Sequence, residues 1–219
     1  MQHILEHIGV SIAAITGILA ARGKQVDLFG VIVLALVTAV GGGTIRDLAI
    51  GDTPVFWARN PGFLINGSIT AVVTFYLVRY RDLPSTVLMV ADAFALALFT
   101  MVGTRKGLAF TGSAPIAVVM GVITGVAGGM LRDLLTGEIP LVFRPQIYLY
   151  ATAAFFGASG FVLLDHFALD PKMNMIVGTV ATLLLRLIGI RWRLRLPIYR
   201  PREVTTTGTT VPPPPQNSA

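Results

Sequence analysis

Cysteine is absent and charge is scarce. The first absence excludes disulfides and thiolate metal sites, although it chooses no compartment. Histidine is nearly absent as well. Its three residues, two of them at the N-terminus, form no ligand-spaced cluster, so no metal is implied beyond transient monovalent cations. Only 13% of residues are charged, against about a quarter in soluble domains. The few charged residues include no nucleophile–base set, so neither an enzyme nor a cofactor has support.

Hydrophobic residues make up 54% of the chain, and the mean hydropathy is +0.74. Apolar stretches of about 18 to 22 residues are long enough to cross a bilayer. Seven such segments are predicted: Ile4–Ala21, Leu28–Ile50, Gly62–Arg79, Ser85–Thr104, Ala114–Thr136, Gln146–Leu164 and Met173–Ile190. The expected fold is an all-α integral membrane domain over residues 1–190, followed by a basic and then Pro-rich disordered tail over 191–219. The first segment lacks a basic n-region, because Glu6 precedes its apolar run, and it reads as a retained helix.

The net charge of +6 is accounted for by loop arginines, and no aromatic platform accompanies them, so nucleic acid is not an expected partner. Arg191, Arg193, Arg195, Arg200 and Arg202 follow the last apolar segment, as juxtamembrane residues facing anionic lipid do. With the N-terminus outside, ten Lys and Arg fall inside and four outside. The bias predicts an outside N-terminus and a cytoplasmic C-terminus.

The chain repeats itself. Gly41-Gly42-Gly43-Thr44-Ile45-Arg46-Asp47 returns 86 residues later as Ala127-Gly128-Gly129-Met130-Leu131-Arg132-Asp133. At the same shift Gly51, Asp52 and Pro54 meet Gly137, Glu138 and Pro140, Thr38 meets Thr124, Gly17 meets Gly103 and Glu6 meets Asp92. The register predicts two three-helix repeats, about residues 1–84 and 85–170, with a seventh helix at about 173–190. Three helices is an odd number, so the second copy enters the membrane upside down.

Consecutive glycines weaken a helix by about 1 kcal/mol each, and hydrocarbon rejects the Arg-Asp that follows them. Their repetition points to a functional site. Kinks at Gly41–Gly43 and at Gly125, Gly128 and Gly129 are expected to break the second and fifth segments beside a pathway. Thr38, Thr44 and Thr124 could replace part of an ion's hydration shell, although such hydroxyls usually bond their own backbone. Adjacent residues point about 100° apart on a helix, so the expected ion pairs cross the repeats, Arg46 with Asp133 and Arg132 with Asp47. These four charges read equally as pore lining or as scaffold. Glu6 and Asp92 read as helix-start carboxylates. Lys106 reads as a snorkelling residue, or as a fixed positive charge in the pathway if it turns inward.

The doubled Gly-Gly-x-x-Arg-Asp, each followed by Gly-(Asp/Glu)-x-Pro, together with seven apolar helices, resembles the bacterial branch of the TRIC family, the trimeric intracellular cation channels. The resemblance covers about residues 1–190. It implies a homotrimer in the bacterial inner membrane, with one hourglass pore per protomer beside Gly41–Gly43 and Gly125–Gly129, and passive flow of monovalent cations, chiefly potassium. Animal members carry a Lys-Glu-Val motif in the fourth helix that engages a phosphoinositide. Here Gly103-Thr104-Arg105-Lys106-Gly107 stands instead, so lipid regulation is not carried over. Some bacterial relatives have been suggested to move glycine, and a secondary transporter of such a solute is the alternative.

Overall fold

The computed structural model describes residues 2–79, 83–144 and 149–192. The start of the sixth segment at Gln146 and all but the first two residues of the tail lie outside them. The described residues form eight α-helices: α1 Gln2–Ala21, α2 Leu28–Ala49, α3 Phe56–Arg59, α4 Gly62–Val78, α5 Ser85–Thr111, α6 Ala114–Leu135, α7 Tyr150–His166 and α8 Pro171–Trp192. Five of them, α1, α2, α5, α6 and α8, are long and apolar enough to cross a membrane, and α4 is a shorter apolar helix. The single turn α3 and a 3-10 turn at Leu141–Phe143 occupy corresponding loops after α2 and α6.

Local signals set the boundaries. The Asp27 carboxylate accepts the Gly30 N–H at 2.7 Å and caps α2. Gly112, at φ +65°, closes α5 in a left-handed turn. Gly51 and Gly137 hold equivalent positions beyond α2 and α6, at φ +74° and +70°. Each lets the chain double back, so that the Asp52 N–H reaches the Asp47 carbonyl at 2.8 Å and the Glu138 N–H reaches that of Asp133 at 2.9 Å.

Helices α1, α2, α5 and α6 pack together, α4 lies against α1 and α2, and α7 lies against α5 and α6. α8 sits outside this arrangement, on α5 and α7. The crossing of α2 and α6 shows how the two copies are related. A Cβ on Gly42 would overlap the Thr124 carbonyl, and one on Gly128 would overlap the Thr38 carbonyl. These contacts exchange under the 86-residue shift, and one helix ascends as the other descends. The two copies are therefore inverted about a pseudo-two-fold axis through this crossing.

Both glycine-rich helices are continuous, α2 through Gly41–Gly43 and α6 through Gly125–Gly129. This corrects the expectation of broken helices. The bare faces are filled by neighbouring chain, so the glycines permit close approach and the backbone ladder survives. Gly121 and Gly125 seat the Thr104 and Thr100 hydroxyls of α5, and Gly43 seats the Phe56 ring.

Candidate permeation site

The centre of the molecule is a constriction between α1, α2, α5 and α6. Thr16, Thr38, Thr124, Asp92, Gly42 and Gly128 line a cavity there of only about 10 Å3, roughly the room one water needs. The three threonine hydroxyls donate to their own helices: Thr16 to the Ala13 carbonyl at 2.8 Å, Thr38 to Leu34 at 2.6 Å and Thr124 to Met120 at 2.6 Å. With its proton committed, each oxygen has only lone pairs left to offer. Thr44 lies further along α2. It donates to the Val40 carbonyl at 2.8 Å and accepts the Trp57 indole N–H at 2.8 Å.

The Arg-Asp dipeptides lie one at each end of this constricted bundle, and the cross-repeat pairs are not formed. Each arginine instead bonds the aspartate that follows it. Arg46 donates to Asp47 Oδ1 through Nε at 2.8 Å and lies 2.7 Å from it through Nη2. Arg132 Nε donates to Asp133 Oδ1 at 2.9 Å. The physical reason lies in the loops. Asp47 Oδ2 accepts the Phe56 N–H and Asp133 Oδ2 accepts the Leu141 N–H, both at 2.8 Å. Each carboxylate is thus fixed at its helix end, within reach of the long arginine side chain.

Additional partners differ between the copies. Lys106 Nζ lies 2.7 Å from Asp47 Oδ1 and 2.6 Å from Asp52 Oδ2, and Arg59 also bonds Asp52. Lys106 therefore turns inward instead of snorkelling, and α5 runs on to Thr111 where the sequence suggested an end at Thr104. The Arg59 and Lys106 hydrogen bonds hold the Asp52 carboxyl below the usual aspartate range. At the other end Arg132 Nη1 donates to Asp92 Oδ1 at 2.8 Å. Asp92 thus lies two turns inside α5 as the buried partner of an arginine, which corrects its reading as a helix-start carboxylate. Glu6, its counterpart, lies 3.3 Å from the His3 ring. A Cβ on Gly129 would meet Tyr150 Oη at 3.0 Å, Asp92 Oδ1 at 3.3 Å and Arg132 Nη2 at 3.6 Å. Nearer the surface, Lys24 Nζ bonds Glu138 Oε1 at 2.8 Å. That lysine, followed by Arg144, lowers the Glu138 pKa.

A family profile described as "Glycine transporter" matches residues 3–79 and again 89–166, two matches whose starts stand 86 residues apart. The UPF0126 inner membrane protein YadS of Escherichia coli is 44% identical over 197 residues, covering 89% of this chain and 94% of that one. A UPF0126 membrane protein of Vibrio cholerae is 42% identical over 200 residues, covering 91% and 83%. Among solved structures, the TRIC trimeric intracellular cation channel orthologue from Rhodobacter sphaeroides superposes with a TM-score of 0.83 at 39% identity, over 88% of this chain and 98% of that one. The chain belongs to the TRIC family. A second TRIC cation channel structure gives a TM-score of 0.82 at 30% identity, over 91% and 98%. These structural relatives are channels and not enzymes.

Three features of this charged bundle carry too little signal in the sequence to be found there. Tyr150 is the first residue of α7, and no charge or repeat marks it. Arg186 is fully buried in α8 with its guanidinium 4.8 Å from the Tyr150 ring centre. An arginine inside an apolar segment was its available signal. The Lys24–Glu138 bridge joins residues 114 apart, and only the fold brings them together.

Proposed function

We propose that the protein is a potassium-permeable monovalent cation channel of the bacterial inner membrane, a homotrimer with one passive pore per protomer between α1, α2, α5 and α6. The observation that carries this reading is the central constriction, where threonine oxygens with committed protons and the Asp92 carboxylate offer acceptors to a cation. Glycines at the α2–α6 crossing keep that lining thin. The likeness to TRIC cation channel structures supports the same reading. Repeat one spans about residues 1–84, repeat two 85–170 and α8 completes the domain. The N-terminus is outside and the C-terminus cytoplasmic, as the lysine and arginine bias indicates.

At about 10 Å3 the cavity between these groups has room for about one water, and we read this conformation as closed. Lys106 across Asp47 and Asp52, and Lys24 on Glu138, tie the two copies together at opposite ends. Opening requires these ties to loosen.

Recording from purified trimers in planar bilayers tests the proposal. Discrete current steps that reverse near the potassium equilibrium potential are expected. The second reading, a transporter of a small solute such as glycine, is favoured by the description of the family profile. Saturable glycine counterflow into liposomes without current steps would establish it and overturn the channel.

A further inference from the structure

Where α1 and α4 end and α2 begins, the first copy forms an open recess of about 500 Å3. Arg22, Lys24 and Arg79 form its polar side, and Val31, Phe75 and Val78 form part of its apolar wall. The second copy is an internal control. At the 86-residue shift the three cations become Leu108, Phe110 and Asp165. α1 stops at Ala21, whereas α5 continues beyond the equivalent Gly107 to Thr111, so helix replaces the open turn. The shared fold therefore does not require this basic cavity. A topological preference for positive loops accounts for the sign of the charge, but not for an apolar recess beneath it.

Cations at helix ends above apolar walls match a molecule with an anionic head and a hydrocarbon body. We propose that this cavity binds an anionic phospholipid, with its phosphate on Arg22, Lys24 and Arg79 and its upper acyl chain on Val31, Phe75 and Val78. The Arg22 side chain is already oriented, because Nη1 donates to the Leu83 carbonyl at 2.7 Å. Lys24 is the residue that makes the site consequential. It bonds Glu138, and with Arg22 it also lines the adjoining cavity of about 450 Å3 that holds Asp133, Glu138 and Arg144. A phosphate on Lys24 competes with Glu138 and loosens one of the two ties between the copies. The site uses the turn after α1 and the end of α4, and its occupancy is measured without reference to conduction.

The experiment uses the full chain, delipidated in neutral detergent. Phosphatidylglycerol, phosphatidylcholine with the same acyl chains, and inorganic phosphate are added separately, and bound lipid is counted by native mass spectrometry alongside thermal melting. Phosphatidylglycerol should bind and raise the melting temperature. The double variant Lys24→Gln, Arg79→Gln should bind it roughly tenfold or more weakly, with unchanged elution on gel filtration. Lys172→Gln, in the first turn of α8, should bind it like the natural chain. Equal binding of the two lipids, or full binding by the double variant, would overturn the proposal. So would inorganic phosphate reproducing the whole effect, since the site would then be one for free anions.

Discussion

The two Arg-Asp ends are copies in sequence and opposites in charge organisation. In the first copy the shared centre is an anion: Asp47 Oδ1 faces Arg46 and Lys106. In the second it is a cation: Arg132 faces Asp133 and Asp92. Both additional partners belong to α5, 14 residues apart, or about 21 Å along the helix. The matching positions on α1 are Glu6 and Ala20. One helix thus reaches both ends of the molecule, and its counterpart cannot repeat both contacts. Burial separates the ends further, since the Arg132 side chain is 0% exposed while that of Lys106 is 19% exposed. Duplication preserved the local dipeptide, while the additional partner from α5 diverged into a part-exposed lysine at one end and a buried aspartate at the other.

The end with the buried Arg132–Asp92 pair should carry the largest energetic effect. Arg132→Met leaves Asp92 and Asp133 buried without their shared cation, and breaking such a buried arrangement costs about 3–5 kcal/mol. Thermal unfolding in detergent should show that loss, and Asp92→Leu in the same chain should recover part of it. Lys106→Met should cost far less, because its ammonium is part-exposed and Asp47 keeps Arg46. Comparable losses at both ends would abolish the distinction. The pair Arg46→Met and Asp133→Leu joins residues that do not bond, so their effects should add within about 0.5 kcal/mol.

Much of the fold is legible in the sequence because its signals are local or periodic. The boundaries of α2 and α6 fall within one residue of those expected from apolar length, and the 86-residue shift identifies the elements that correspond. The end of α5 was misread because Arg105-Lys106 looks like a hydrophilic stop. Helix continues there because Asp47 and Asp52 balance Lys106, and that balance exists only once α2 and α5 are packed. The charge pairs were misassigned for a related reason. The 100° rule describes where side chains leave the helix, and it takes no account of the arginine's length or of a loop N–H that fixes the carboxylate. Glycine runs carry the same ambiguity, because a kink and a tight crossing have identical composition. Only the neighbouring carbonyls of Thr38 and Thr124 distinguish them.

That distinction gives the next largest effect. Gly42→Ala and Gly128→Ala each press a methyl group onto backbone of the opposite helix, which cannot rotate away. Each should destabilise the protein by about 1–3 kcal/mol, the usual range for overpacking. At Gly41 the added methyl meets Leu131 Cδ1 at 2.6 Å, the far end of a flexible side chain. Gly41→Ala should therefore be nearly neutral, its small clash offset by better helix propensity. If Gly41→Ala is as costly as Gly42→Ala in chemical or thermal unfolding, close approach of the two backbones is not what these glycines provide.

The smallest effect separates the outer ties of the two ends through pH. Asp52 and Glu138 occupy matching positions, and both are held below their ordinary carboxylate pKa, Asp52 chiefly by Arg59 and then Lys106, Glu138 chiefly by Lys24. A depressed folded-state pKa gives stability that is complete above the unfolded value, about 3.9 for Asp and 4.3 for Glu. That stability is lost as pH falls through the folded value. These carboxylates therefore contribute no slope between about pH 5 and 8, and the melting temperature should begin to fall only near pH 4. Asp52 is largely buried and has two cationic partners, while Glu138 is exposed to solvent that screens Lys24. Asp52→Asn should consequently flatten the acid limb more than Glu138→Gln. Melting curves from pH 8 to 3 for the two variants check the order. A larger change in Glu138→Gln would place the stronger tie at the Lys24 end and reverse the ranking of the two ends.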